Sequence, residues 1–283
     1  MVEWKNLDEL NSFKELEACE KVDLKTVMSG NEGAERVKNY SCAMAEGLTY
    51  NYAAKAVDAK VLEAIKKLAE EAQLSEKFEA LYNGEMVNTG EKRLVLHQLC
   101  RGQLGNDVIA DGVNKREFYV KQQTRIAEFA EKVHNGTITN AAGEKFTTVV
   151  QIGIGGSDLG PRAIYIALEN WARKNNTLKM EAKFISNVDP DDAAAVLNSI
   201  DVAHSLFVLV SKSGTTHETL TNEAFVKDAL KNAGLDPANH MVAVTSETSP
   251  LAKNEGYLDA FYMDNYIGGR YSSSSAVGCA VLS

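Results

Sequence analysis

From about Thr147 onward the chain alternates short, almost wholly apolar runs with longer stretches of helical character. The runs fall at 148–154, 182–186, 206–210, 241–245 and 258–262, and the helical stretches at 161–174, 190–200, 218–233 and 250–254. Runs without polar alternation read as strands buried on both faces, which is the habit of parallel sheets covered by helices. The pattern therefore predicts βαβ units and an α/β fold with five parallel strands. In such sheets ligands bind beyond the carboxyl ends of the strands, where the strand order reverses. Two loops gain that position: "GIGGSDLGP" at 153–161 after the first run, and "SKSGTT" at 211–216 after the third.

The chain before this pattern reads as helical. Ala56, Val57, Val61, Leu62, Ile65 and Leu68 recur at three- and four-residue steps, predicting a helix over 53–72, and a second is expected over 118–133. Asn135-Gly136 and Gly143 then carry turn signals. The expected division is a mainly helical region over 1–143 and a sheet domain over 144–283. With 283 residues there is room for two domains.

Charge narrows the partners. A formal charge of −9 argues against nucleic acid or an anionic membrane, both of which favour a basic face. The first residues lack the basic and apolar blocks of a signal peptide, and no apolar stretch nears the roughly 20 residues needed to span a bilayer. Cys19, Cys42, Cys100 and Cys279 match no zinc spacing, and the five histidines form no i, i+4 pair. Reduced thiols, a cytoplasmic setting and no metal are the expectations.

The two loops suggest an anion. In the first, glycines after a strand let a ligand approach backbone N–H groups, and Pro161 suits the first turn of the next helix. Asp158 stands where a dinucleotide fingerprint needs its third glycine, and no Gly-Lys-Ser/Thr follows as a Walker A loop requires. A phosphate site and a merely tight turn remain open there. In the second, Ser211, Lys212, Ser213, Thr215 and Thr216 surround Gly214. Helix capping explains one such hydroxyl, but four with a lysine favour a phosphate held by neutral donors and a point charge. Beyond the fifth run, Gly268-Gly269 precedes Arg270, a permanent cation suited to an oxyanion. Arginines more often serve surfaces or ion pairs, and the serines at 272–275 suit capping and turns.

Together these segments resemble the phosphoglucose isomerase family. The resemblance rests on "IGIGGSDLGP" (152–161), "SKSGTTHET" (211–219) and "GGRYSSSSAVG" (268–278), in the family's order and approximate spacing. Upstream, "VNTGEKRLVLHQLCR" (87–101) is similar to its segment "INxTENRAVLHxALR", with Asn88, Glu91, Arg93, Val95, Leu96, His97 and Arg101 matching and Gly90 in place of a threonine. The resemblance implies that the sheet is the first of two sugar-isomerase (SIS) domains, doubly wound. It implies interconversion of glucose 6-phosphate and fructose 6-phosphate, in glycolysis and gluconeogenesis, through a cis-enediolate and with no cofactor. Ser211, Lys212, Ser213 and Thr216 then match the phosphate loop, and Gly156 and Ser157 the residues meeting the sugar phosphate from the first loop. Arg270 matches the arginine that stabilises the enediolate.

Some positions depart from the family. Ser213 and Gly214 replace the Thr-Phe of many animal members, His217 stands where Gln is common, and Ser273 and Ser274 replace bulkier residues. The family continues well beyond Ser283, carrying a second SIS domain, the proton-transferring glutamate, and the histidine and lysine of ring opening. His217 and Glu218 are not those groups. The expectation is an N-terminal fragment, inactive alone, of an isomerase that is usually a homodimer. The alternatives are a non-catalytic SIS module binding a sugar phosphate for regulation, and an isomerase of another sugar phosphate.

Overall fold

The computed structural model describes residues 2–102, 104–253 and 255–283. These form two compact units, residues 1–80 and 81–283. The first unit is mainly helical, with a small antiparallel hairpin pairing Ser41–Ala43 with Thr49–Asn51. Strands of three residues are too short to leave a periodic trace, and this hairpin was not visible in the sequence. Its longest helix, α1, spans Ala59–Glu71 and starts later than the apolar spacing predicts. The reason is local. Buried Arg36 donates to the carbonyls of Ala53 (2.8 Å), Lys55 (3.0 Å) and Val57 (2.7 Å), which holds this stretch in a non-helical path. Asp58 then caps α1, accepting from the Val61 N–H at 2.9 Å.

The second unit is built on the expected sheet. Strands β1 (Thr148–Ile152), β2 (Glu181–Ile185), β3 (Ser205–Val210), β4 (Met241–Thr245) and β5 (Asp259–Tyr262) lie parallel in the order β2-β1-β3-β4-β5. The fold is thus α/β and doubly wound, as anticipated, after a mainly helical N-terminal region. The order reverses between β1 and β3, so the loops leaving those strands diverge and open a crevice.

Both faces of the sheet carry buried apolar side chains. Leu206, Val208 and Val210 of β3 point to one core with Val149, Val242 and Val244, while Phe207 and Leu209 point to the other with Val150, Ile152 and Ala243. Successive side chains alternate faces, so a strand covered on both sides needs apolar residues at every position. The first face is closed by helices α2 (Lys115–Asn135) and α6 (Ala276–Leu282), through Ile126, Val133, Val277 and Val281. The second is closed by α4 (Pro190–Asn198) and α5 (His217–Asn232), through Ala193, Val226 and Leu230. Helix α3 (Leu159–Lys174) follows β1, and its Tyr165 packs against the first core.

Helix α2 extends slightly beyond the expected 118–133. Asn114 accepts from the N–H groups of Arg116 and Glu117, and Gly136 ends the helix in the left-handed conformation. It belongs to the sheet: Phe129 meets Phe261 edge-on at 5.4 Å, and Gln122 accepts from the Tyr262 N–H at 3.0 Å. The change of sequence pattern near 144 thus marks where strands begin, whereas the compact units divide at 80/81. Pro250–Lys253 forms a short 3-10 turn; Asn254, where the sequence suggests the end of a helix, lies outside the described residues, as do Met1 and Gln103.

Candidate functional site

The crevice between β1 and β3 gathers the three segments singled out in the sequence. After β3 the chain turns through Gly214, whose φ of +66° a side chain would resist. The turn is pinned from below. Ser211 is buried, its N–H donates to Val244 O at 3.0 Å, and its carbonyl accepts from the Thr245 hydroxyl at 2.7 Å. Thr216 occupies the N-cap position of α5, yet its hydroxyl caps no N–H of that helix. It accepts instead from Ser211 Oγ at 3.2 Å and lies 3.5 Å from Ser213 Oγ. Ser213 Oγ in turn accepts from the Thr215 N–H at 3.2 Å. Capping therefore does not account for these hydroxyls. They form a cluster at the positive end of a 16-residue helix whose first N–H groups carry no side-chain cap.

Lys212 is half-buried, and its ammonium donates to the Ile267 carbonyl at 3.2 Å. Burial, followed by the nearby Arg93 guanidinium, holds its pKa below the ordinary lysine value. The lysine thus ties the β3 loop to the segment that follows β5.

After β1 the chain turns through Gly155 (φ +59°) and a 3-10 turn, Gly155–Ser157, into α3. The buried Gln151 amide donates to Ser157 O and holds this turn from within the sheet. Asp158, also buried, pairs with Arg162 at 2.8 Å; burial raises its carboxyl pKa and the guanidinium partly opposes that. Asp158 is therefore a structural partner of α3. Gly156 lies directly against Gly269, and a Cβ there would overlap the Gly269 carbonyl carbon and oxygen.

The segment after β5 runs back across the carboxyl ends of the strands. Met263 N–H donates to Thr245 O at 2.9 Å beside β4, Ile267 meets Lys212 above β3, and Gly269 meets Gly156 beyond β1. Arg270 is exposed, and among the described residues no carboxylate pairs with it. Tyr271 takes a left-handed φ of +67°, unusual for an aromatic residue. The serines behave as their spacing suggests: Ser272–Ser274 form a 3-10 turn, and Ser275 Oγ accepts from Val277 N–H at the start of α6. The Ser273 hydroxyl lies against Gly160, where a Cβ would collide with it. The smallness of Ser273 and Gly160 is thus matched.

Gly156, Ser157, Ser211, Lys212, Ser213 and Thr216 accordingly stand on the loops leaving β1 and β3, with Arg270 on the strap that touches both. What the sequence did not reveal is the underside of that strap. Leu96 N–H donates to Tyr266 O at 3.2 Å, His97 Nε2 lies 3.0 Å from Gly268 O, and Arg101 Nη2 donates to Tyr271 O at 3.2 Å. The resemblance marked this segment as shared but gave it no task. Partners some 170 residues apart leave no mark in a single sequence.

Comparison with known proteins identifies the family. The family described as phosphoglucose isomerase matches residues 51–283. The chain is 58% identical to glucose-6-phosphate isomerase of Treponema denticola, covering 99% of this chain and 54% of that protein. It is 46% identical to the Borreliella afzelii enzyme of the same name, over 100% of this chain and 53% of that one. Among solved structures, a glucose-6-phosphate isomerase from Chlamydia trachomatis superposes with a TM-score of 0.83 at 36% identity, covering 98% of this chain and 52% of that one. The chain spans about half the length of the curated relatives it matches. A sheet of this order, the loops at its switch point and the family match over most of the sequence lead to one conclusion: the chain belongs to the phosphoglucose isomerase family.

Proposed function

We propose that this chain is the sugar-phosphate-holding part of a glucose-6-phosphate isomerase, an aldose–ketose isomerase of glycolysis and gluconeogenesis. Ser211, Ser213, Thr216 and the first N–H groups of α5 receive the phosphate of glucose 6-phosphate or fructose 6-phosphate, with Lys212 adding charge behind them. Gly156 and Ser157 meet the same ligand from the β1 loop. In the reaction a base takes the proton from C2 of the open-chain aldose, and the electron pair moves to the C1 carbonyl oxygen. The cis-enediolate so formed passes its O2 hydroxyl proton to O1 and is reprotonated at C1, which leaves the carbonyl at C2 of the ketose. Arg270 faces the developing oxyanion, and a fixed cation already in place there lowers the barrier without reorganisation.

On this reading residues 144–283 are the first SIS domain and 1–143 its helical preface. The proton-transferring glutamate belongs to the part of the longer relatives that this stretch does not match. The intact protein is read as a cytoplasmic homodimer needing neither metal nor organic cofactor, and this stretch alone as inactive.

The observation that carries the reading is Thr216, which sits at an N-cap and turns its hydroxyl to Ser211 instead of to the helix. Titration calorimetry with fructose 6-phosphate tests it. Ser211→Ala and Thr216→Ala should each weaken binding by about 1.5–3 kcal/mol, the worth of a hydrogen bond to a charged group, with little change in melting temperature. Unchanged affinity with about 1 kcal/mol lost in stability, the signature of a removed cap, would refute it.

A further inference from the structure

We propose that His97 and Arg101 are positioning residues for Arg270, holding the strap so that its guanidinium meets the oxyanion end of the sugar phosphate. The proposal rests on the function proposed above and adds residues to which that reading gives no part.

The strap from Asp264 to Ser275 is fastened at several residues on both sides of Arg270, but not at Arg270 itself. Asp264 pairs with buried Lys115 at 2.9 Å, and Ile267 O accepts from Lys212. Gly268 O accepts from His97, whose Nε2 must carry the proton to donate to a carbonyl. Tyr271 O accepts from Arg101 Nη2, while Arg101 Nε donates to Ser274 Oγ at 3.2 Å. Ser272 Oγ donates to Gly156 O at 3.2 Å, and Ser274 O accepts from Gln123 at 3.0 Å.

His97 and Arg101 therefore grip the carbonyls on either side of Arg270, two residues before it and one after. Both donors come from one 3-10 turn, His97–Cys100, and the residue that ends it. That turn is itself fixed, because Leu99 and Cys100 are buried with Tyr119 and Ile267. The Arg270 side chain is long, exposed and without an ion-pair partner among the described residues, so only its backbone can fix where it starts. The left-handed turn at Tyr271 persists only where its surroundings over-determine it, and the Arg101 fork supplies that constraint. A charge meant for a transition state needs such support beneath it.

The test uses two ligands sharing the phosphate end. 6-Phosphogluconate carries a carboxylate at C1, beside the position where the enediolate develops charge; sorbitol 6-phosphate carries none. The wild-type chain should prefer the carboxylate ligand by about tenfold, and Arg270→Gln should erase that preference. His97→Phe and, independently, Arg101→Gln should reduce it to within about twofold of the Arg270→Gln value. Affinity for sorbitol 6-phosphate should stay within about twofold in each. His97→Gln, whose amide can reach the same carbonyl, should restore most of it. Full preference in folded His97→Phe and Arg101→Gln would overturn the proposal. So would an equal loss for both ligands, which marks general scaffolding. Should His97→Phe fail to fold, Arg101→Gln decides alone. By contrast, a wild type that binds neither ligand, or an Arg270→Gln variant that keeps its preference, refutes the underlying functional reading, and the positioning role falls with it.

Discussion

Gly156 and Gly90 respond oppositely to the same methyl group. At Gly156 a Cβ would overlap the Gly269 backbone, and backbone cannot swing aside as a side-chain tip can. Gly156→Ala should therefore part the β1 loop from the Arg270 strap, costing on the order of 1–3 kcal/mol and weakening sugar-phosphate binding. At Gly90 the nearest atom to a new Cβ is Asn88 Oδ1 at 3.8 Å. Gly90→Ala should leave the stability within about 0.5 kcal/mol of wild type, and thermal unfolding of the pair checks both. At this scale the sequence was informative about the hydroxyl cluster, because serines and threonines between a strand and a helix have few physical uses. It was less informative about Lys212. A lysine in such a loop reads as a counter-ion, and nothing local announces that its amine reaches Ile267 O, 55 residues on.

Strands were the most legible elements. Burial on both faces removes polar residues from β3 and β4, so their ends could be read to within a residue. Helix starts were harder, since α1 begins where Arg36 and Asp58 allow, and Arg36 acts across 17 to 21 residues. The entry to β3 offers a test of pH response. His204, ending the 3-10 turn Val202–His204, lies 2.9 Å from Asp201 and 3.0 Å from Glu144. Its hydrogen bond to Asp201 is the chief cause raising its pKa, with Glu144 adding to it, and the same contact lowers that of Asp201. A histidine raised on folding contributes stability that is fully present below its unfolded value, near 6.5, and is lost as pH rises through the folded value. Asp201 works in reverse: its contribution is present above the unfolded carboxylate value and is lost as pH falls through the folded one. The cluster should thus support the fold most between about pH 4 and 6.5. His204→Gln should lower the melting temperature at pH 6 more than at pH 8. Because the groups are solvated, the difference should not exceed about 2 °C, and an equal shift at both values would show that the charge plays no part.

For the molecule as a whole, every residue assigned to the site, and every contact described beneath it, falls within the unit formed by residues 81–283. That unit contains the complete sheet, both its cores and the His97–Cys100 turn. Expressed alone, it should fold cooperatively and bind fructose 6-phosphate within about threefold of the 283-residue chain; failure of circular dichroism to show a single transition would count against that independence. Sequence pattern placed the division some sixty residues later, because helix and strand differ in periodicity while a domain is defined by which surfaces bury one another. The first N–H groups of α5 carry no side-chain cap. On the proposed function, a phosphate seated there becomes the helix's own terminal residue in all but covalent connection. Ligand concentration then sets how often the first turn frays, and affinity and folding become one equilibrium. At a hundredfold excess over Kd that linkage amounts to about 2.7 kcal/mol, so on the proposed function the sugar phosphate acts as a structural component of the chain that holds it.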